Sequence, residues 1–476
     1  MKIQTKETLS YSLITDTDSY KFSHWNQYPA HTTQMMSYVE SRGGPFSDCT
    51  LFGLQYLMHE YLAKPISRAQ VEEAASFAKA HGVPFNYEGW MYIVDAHDGH
   101  LPVRIRAIDE GTVVPVRNAL LTIESLDPKV FWIVSWLETM LVRLWYPSTI
   151  ASTSRESKKV LKRFLELTAD DPEAELPFKL HDFGARGVSG LEQSRLGGAA
   201  HLLSFVGSDT VEGIRTANHY YDCEMAGYSI PAAEHSTMTM WGEDKEFDAF
   251  ANMVQQYISR REVPEGLPKL AACVSDSYDF FRAVDQGWGG EKLHKLVKES
   301  GGCLVIRPDS GNPEEVLLRC FEILEERVGM TRNTKGYKVL PPYYRVIQGD
   351  GIDRESMEQI LQTLTKHQIS TSNIAFGSGG GLLQKVNRDT QKWAFKCCAA
   401  KVNGQWVDVR KDPATDESKR SKAGRLDLIK EDGEYKTVVV PSDKLAHPSS
   451  VMKTVFENGE IMNHTTLEDC RRRMAL

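Results

Sequence analysis

The chain has 476 residues, 41% hydrophobic and 25% charged, with 56 basic against 64 acidic residues and a formal net charge of −8. This length suits about two or three domains of roughly 150 residues each, enough to bury a core without disulfides. The acidic balance argues against nucleic acid as a partner, and the start, MKIQTKETLSYS, has no apolar export core. The greasiest stretch, Val130 to Trp145, is interrupted by Glu138 and Arg143, so no membrane span is expected. Eight cysteines show no CxxC spacing, and several sit in apolar runs, which points to a reducing, cytoplasmic setting.

Residues 1–150 mix strand-like text, LPVRIRAI (101–108) and TVVPVR (112–117), with helical text such as VSWLETMLVRLW (134–145). Within residues 151–390, the stretch from His181 to Gly381 repeats one phrase about seven times: an apolar run, a cluster of Gly, Asp, Ser and Arg, then a helix-like stretch. The clusters are HDFGARG (181–187), FVGSDT (205–210), PAAEHS (231–236), VSDSYD (274–279), VIRPDSGNP (305–313), VIQGDG (346–351) and FGSGGG (376–381). Parallel strands with right-handed crossovers would bring every cluster to one carboxyl-end face. After residue 390, WAFKCCAAKVNGQWVDVRKD (393–412) reads as a β-hairpin turned by Asn403-Gly404, followed by a polar loop and strand text at YKTVVV (435–440). The expected fold class is α/β: an irregular βα barrel domain over 151–390, plus an α+β sheet domain built from 1–150 together with 391–476.

The densest local chemistry is CLVIRPDSGNPEE (303–315), where an apolar strand delivers Arg307 and Asp309. Asn312 as N-cap, Pro313 at the first helical position and two glutamates then start a helix. The pair either points at a ligand or merely ties the loop. NIAFGSGGGLLQKVNRD (373–389) runs from strand through Gly379 and Gly380 into a helix carrying Arg388; it reads as an anion cradle or as a tight barrel turn, and it lacks the GxxxxGK[ST] spacing. Asp350 in YRVIQGDG and Asp276 in VSDSYDF suit ribose hydroxyls or a hydrated Mg²⁺, with Asx turns as the competing explanation. His235, in PAAEHSTMTMW, is either a hydrogen-bonded structural residue or a reactive one. The loop VRKDPATDESKRSKAGR (409–425) is either a solvated charge run or a polyphosphate clamp.

Read together and in this order, TDSYKFSHWNQYP (17–29), HDFGARGVSG, GSDTVEG, PAAEHSTMTMWG, VSDSYDF, IRPDSGNP, RVIQGDG, NIAFGSGGGLLQK and KDPATDESKRSKAGRL (411–426) resemble the nicotinamide phosphoribosyltransferase family over nearly the whole chain. The resemblance implies transfer of phosphoribose from phosphoribosyl pyrophosphate to nicotinamide, with Mg²⁺, with ATP hydrolysis coupled to it, and in a homodimer with shared active sites. It implies that Phe183 stacks on the pyridine, that Tyr20 of a partner subunit covers the other face, and that Asp209 accepts from the carboxamide. Arg186, Gly379, Gly380 and Arg388 match positions near the 5′-phosphate. Asp309, Gly349 and Asp350 match ribose-binding positions, with Asp276 close by. Arg42, Arg307, Lys396, Lys411 and Lys419 match pyrophosphate positions, and His235 matches a histidine phosphorylated by ATP. Ala185 and Ala272 depart from the pattern, standing where members carry tyrosine and serine.

Two rival readings remain at this point. A nicotinate phosphoribosyltransferase shares the barrel and the histidine, and Asp209 argues against it because a carboxylate substrate would meet a like charge. A noncatalytic nucleotide-binding protein of the same fold is the other; the intact phosphate, ribose and histidine positions argue against that.

Overall fold

Seven runs of extended chain, each ending in a polar cluster, form the closed centre of one of two units into which the chain divides. The computed structural model describes residues 9–263, 267–415 and 420–476. One unit comprises residues up to Ser152 together with Val386–Met474, and the other Thr153–Lys385.

The first unit is built on a seven-stranded sheet in the order Gln405–Asp408, Trp393–Val402, Thr32–Ser41, Ala119–Ser125, Val103–Ala107, Lys453–Glu457, Glu460–Ile461. C-terminal strands therefore flank the N-terminal ones on both sides, as in the antiparallel pairing of Tyr38 with Lys396. The 393–408 hairpin turns at Asn403 and Gly404, whose φ values of 49° and 79° are those a two-residue turn of this hand requires.

Three local expectations change. Of 112–117 only Val113–Pro115 is strand, and it pairs with Asp48–Thr50 in a separate ribbon; Pro115 has no N–H to give a ladder. Likewise YKTVVV lies, but for Val440, in the strand Glu434–Val439, which pairs with Leu426–Glu431 outside the main sheet. The helix expected over 134–145 is broken into Ile133–Trp136 and Glu138–Val142, with a new helix from Trp145. Trp132 and Trp136 pack edge-on against Trp90 there, at 5.0 and 5.1 Å between ring centroids, so tertiary packing overrides helix propensity.

The second unit holds a parallel sheet in the order Leu180–Asp182, Ile374–Ser378, Tyr344–Gln348, Cys303–Arg307, Leu270–Val274. Parallel bridges Asp182↔Ser208, Gly207↔Tyr228 and Ala232↔Ala272 carry the pairing from the first strand round to the last. The barrel is thus closed and irregular, with two of its staves reduced to short extended segments. Pro231, which cannot donate to a ladder, sits in one of them. The 151–180 stretch supplies the helix Trp145–Thr168 and two short turns, so it adds no strand before Leu180. Asn312 caps the helix Pro313–Val328 as expected, its Oδ1 accepting from the N–H groups of Glu314 (3.1 Å) and Glu315 (3.3 Å).

Side-chain alternation divides the strands between two surroundings. Ala271, Cys273, Leu304, Ile306, Val346, Ile374 and Phe376 face the helices and join Leu317, Phe321, Met357 and Leu361 in the main core. Ala272, Val305 and Ile347 form a separate inner patch with Phe183, Ile230, Leu270 and Ala375. No helix among the described residues is long and apolar enough to cross a membrane, and all eight cysteines are free thiols.

Candidate active site

The inner faces of the strands are too small to fill the barrel. Ala272 and Ala375 stand where larger inward residues would close it, and a cavity of about 1060 Å³ opens, walled by second-unit residues. Its polar groups come from the strand-end clusters, because each strand stops where Gly, Asp or Ser ends the ladder.

At one part of this wall stand Phe183 and Asp209. The Phe183 N–H donates to the Ser378 carbonyl at 2.9 Å, which fixes the ring's base. Its ring lies over Gly377, where a Cβ would come 1.9 Å from Phe183 Cε2, so only glycine admits this packing. Asp209 is held by its own N–H, which donates to the Asp182 carbonyl at 2.9 Å, and its Oδ1 accepts a hydrogen bond from the Ser229 hydroxyl. His181 lines the same wall; desolvation lowers its pKa, against the opposing pull of the Asp209 charge.

A second group joins two loops. His235 opens the helix His235–Thr239, and its Nε2 lies 3.0 Å from Asp276 Oδ1 while its Nδ1 lies 4.0 Å from Asp309 Oδ2. Asp309 Oδ2 in turn accepts from Arg307 Nη2 at 3.0 Å. The buried Asp276 carboxylate also accepts from the Asp309 N–H (3.0 Å) and the Ser310 hydroxyl (2.6 Å). Arg307 and Asp309 line the cavity, and His235 is tied to it through them. Buried polar groups that are not spent on one another mark a site more than a loop tie does. Arg307 Nε is one of them, buried with no protein partner.

Arg186, Gly349, Asp350, Gly379 and Gly380 all line the same cavity. Arg388 does not ride on the glycine-led helix, which ends at Leu383; three residues, Gln384 to Val386, and a turn at Asn387 intervene, and Arg388 is exposed beside Asp389. Tyr20, Arg42, Arg388, Lys396 and Lys411 belong to the first unit. There Arg42 Nε pairs with the buried Glu40 at 2.8 Å. Burial lowers the pKa of Lys396, opposed by Glu138 and reinforced by Arg42, Lys21 and Arg388, so these cations share one neighbourhood. The Lys411 N–H donates to Ser421 Oγ at 2.8 Å. Tyr20 is 58% exposed. Lys419 lies outside the described residues.

Ser229 and Gly377 escape a reading of the sequence. A glycine inside a strand is a signal of close approach, but in FGSGGG it is masked by three more glycines. Nothing local singles out a serine after tyrosine, because its partner lies 20 residues away.

The fold is shared with solved structures. It matches the nicotinate-nucleotide pyrophosphorylase from Pyrococcus furiosus with a TM-score of 0.61 at 15% identity, covering 99% of this chain and 97% of that one. Human nicotinic acid phosphoribosyltransferase matches with a TM-score of 0.57 at 16% identity, covering 96% and 92%. The chain therefore has the fold of these two structures. The model of the nicotinate phosphoribosyltransferase family matches residues 178–460, and that of the nicotinamide phosphoribosyltransferase N-terminal domain matches 12–105. A nicotinamide phosphoribosyltransferase from Xanthomonas campestris pv. campestris is 48% identical over 97% of each chain. The chain belongs to the nicotinamide phosphoribosyltransferase family and is an enzyme of it.

Burial pushes the Asp182 carboxyl, behind this wall, up to about 6 from 3.8. The folded state then holds the proton more tightly than the unfolded state. Its contribution to stability falls as pH rises between about 4 and 6 and stays lowered above that window. Asp182→Asn removes this loss. The thermal midpoint of the variant relative to the parent should therefore rise across the window; a constant difference from acid to neutral pH contradicts the assignment.

Proposed function

We propose that the chain transfers the phosphoribosyl group of phosphoribosyl pyrophosphate to nicotinamide, giving nicotinamide mononucleotide and pyrophosphate in NAD salvage, with ATP hydrolysis coupled through a phosphohistidine at His235. The observation that carries the choice of base is the Asp209 carboxylate on the same cavity wall as Phe183. Ionised, it only accepts hydrogen bonds, which suits a carboxamide NH₂ and repels a carboxylate. The nicotinate phosphoribosyltransferase family model also matches the chain, and the Asp209 charge argues against nicotinate as the base.

The pyridine nitrogen already carries the attacking lone pair, so no strong base is required. Phe183 holds the ring, Asp209 sets its rotation, and Gly379, Gly380 and Arg186 take the 5′-phosphate, with Asp350, Gly349 and Asp309 at the ribose. Displacement at the anomeric carbon passes through oxocarbenium character, and Arg307 offsets charge on the departing pyrophosphate. Among the described residues no cluster of three or more His, Cys, Asp or Glu side chains could hold a metal ion. That suits Mg²⁺, which is commonly held by one or two carboxylates with phosphate oxygens and water. Asp309 and Asp350 fit this role better than Asp276, whose two oxygens are engaged. Bound with pyrophosphate, the ion would neutralise leaving-group charge.

With Asp276 accepting from Nε2–H, the lone pair of His235 rests on Nδ1, the nitrogen available to take the γ-phosphoryl group of ATP. The exposed Tyr20 suits a homodimer in which a second chain supplies the other face of the base site.

Four measurements test this reading. Equimolar nicotinamide and nicotinate offered with phosphoribosyl pyrophosphate, Mg²⁺ and ATP should give the amide mononucleotide. Asp209→Ser should raise the KM for nicotinamide by about tenfold to a hundredfold and relax rejection of nicotinate; unchanged preference would remove Asp209 from the base site. His235→Ala should abolish labelling of the protein from γ-labelled ATP while leaving slow transfer, and label persisting on the variant would move the phosphoryl site elsewhere. Light scattering should find a dimer; an active single chain contradicts the shared site.

A further inference from the structure

The Ser229 hydroxyl has no part in the roles assigned so far, yet it is the side chain bonded to the Asp209 carboxylate. The two residues sit on neighbouring extended segments. Gly207 and Tyr228 form a parallel bridge, the Ser208 N–H donates to the Tyr228 carbonyl at 3.0 Å, and the Tyr228 N–H donates to the Val206 carbonyl at 2.7 Å. On its far side the Ser229 segment is tied to the next strand, with the Ala272 N–H donating to the Pro231 carbonyl at 2.8 Å and the Ala233 N–H to the Ala272 carbonyl at 3.0 Å. Ser229 is therefore anchored from both flanks, and its position opposite Asp209 follows from backbone pairing. Both side chains line the cavity.

We propose that Ser229 is a positioning residue for base selection: its hydroxyl holds Asp209 Oδ1, leaving Oδ2 to the carboxamide, and spends on Asp209 the one proton that could otherwise greet a carboxylate. The proposal rests on the reading of Asp209 as the amide acceptor. A hydroxyl has a single proton to donate. Directed at an ionised acid it forms a charge-assisted bond, which fixes the carboxylate's rotation. A nicotinate carboxylate arriving there meets a like charge and a hydroxyl already engaged. Remove Asp209, and the same hydroxyl becomes a donor facing the ligand, so Ser229 would then favour the acid it had helped to reject.

The test uses the full chain, with nicotinamide and nicotinate as separate substrates and phosphoribosyl pyrophosphate varied in parallel. Ser229→Ala should raise the KM for nicotinamide by about tenfold, with kcat and the KM for phosphoribosyl pyrophosphate unchanged, while Ser229→Thr, which keeps the hydroxyl, stays within about twofold of the parent. Adding Ser229→Ala to Asp209→Ala should take away whatever nicotinate use the Asp209→Ala change confers. A nicotinamide KM unmoved by Ser229→Ala, in a protein whose preference does respond to Asp209→Ala, overturns the Ser229 role and leaves the Asp209 reading standing. Equal losses of kcat in the alanine and threonine variants also overturn it, since they mark a general structural effect. If Asp209→Ala leaves base preference alone, the underlying reading fails, and the Ser229 role with it.

Discussion

Every feature of the candidate site depends on the two-residue alternation of the parallel strands. One set of side chains, Ala271, Cys273, Leu304, Ile306, Ile374 and Phe376, is committed to the helices and supplies the cohesion of the second unit. The opposite set is then free to be small. Ala272 and Ala375, beside Val305 and Ile347, leave the barrel hollow where bulky branched residues would fill it. A cavity made this way costs the dispersion contacts that inward side chains would have made, and the outer core is extensive enough to bear that. The hollow also explains why chemistry gathers at one rim, since the polar residues that stop each strand all stop it at the same end.

Electrostatics divides the rim into two kinds of place. Around His235 and Asp276 the charges are paired and hydrogen-bonded: one buried carboxylate organises a ring nitrogen, a backbone N–H and a hydroxyl. Such a satisfied network rigidifies what it touches. Around Asp209 the carboxylate accepts from one protein hydroxyl and feels the neighbouring His181, and its remaining capacity is directed to whatever enters. The first arrangement suits a residue that must be held in one orientation, the second one that must choose between ligands.

Much of this was legible in the sequence because the signals were local. Each βα unit carries its own turn residues, so the seven polar clusters, the irregular barrel and the Asn312 cap could be read directly, as could the hairpin at Asn403-Gly404. What could not be read depends on partners distant along the chain. The broken helix near Trp136 follows from edge-on packing against Trp90, the separate ribbons of Val113–Pro115 and Glu434–Val439 follow from where their partners lie, and Arg388 falls beyond a helix only four residues long. Gly377 was legible as a glycine but not as the seat of Phe183, and Ser229 had no local mark at all.

The central claim is that the hollow barrel holds the base against Phe183 with its amide on Asp209. The most direct measurement is a crystal structure of the enzyme with nicotinamide mononucleotide bound. The account predicts the pyridine ring against Phe183, the carboxamide nitrogen within hydrogen-bond distance of Asp209 Oδ2, and the phosphate beside Gly379 and Gly380. A pyridine ring bound outside this cavity, or an amide turned away from Asp209, would contradict it.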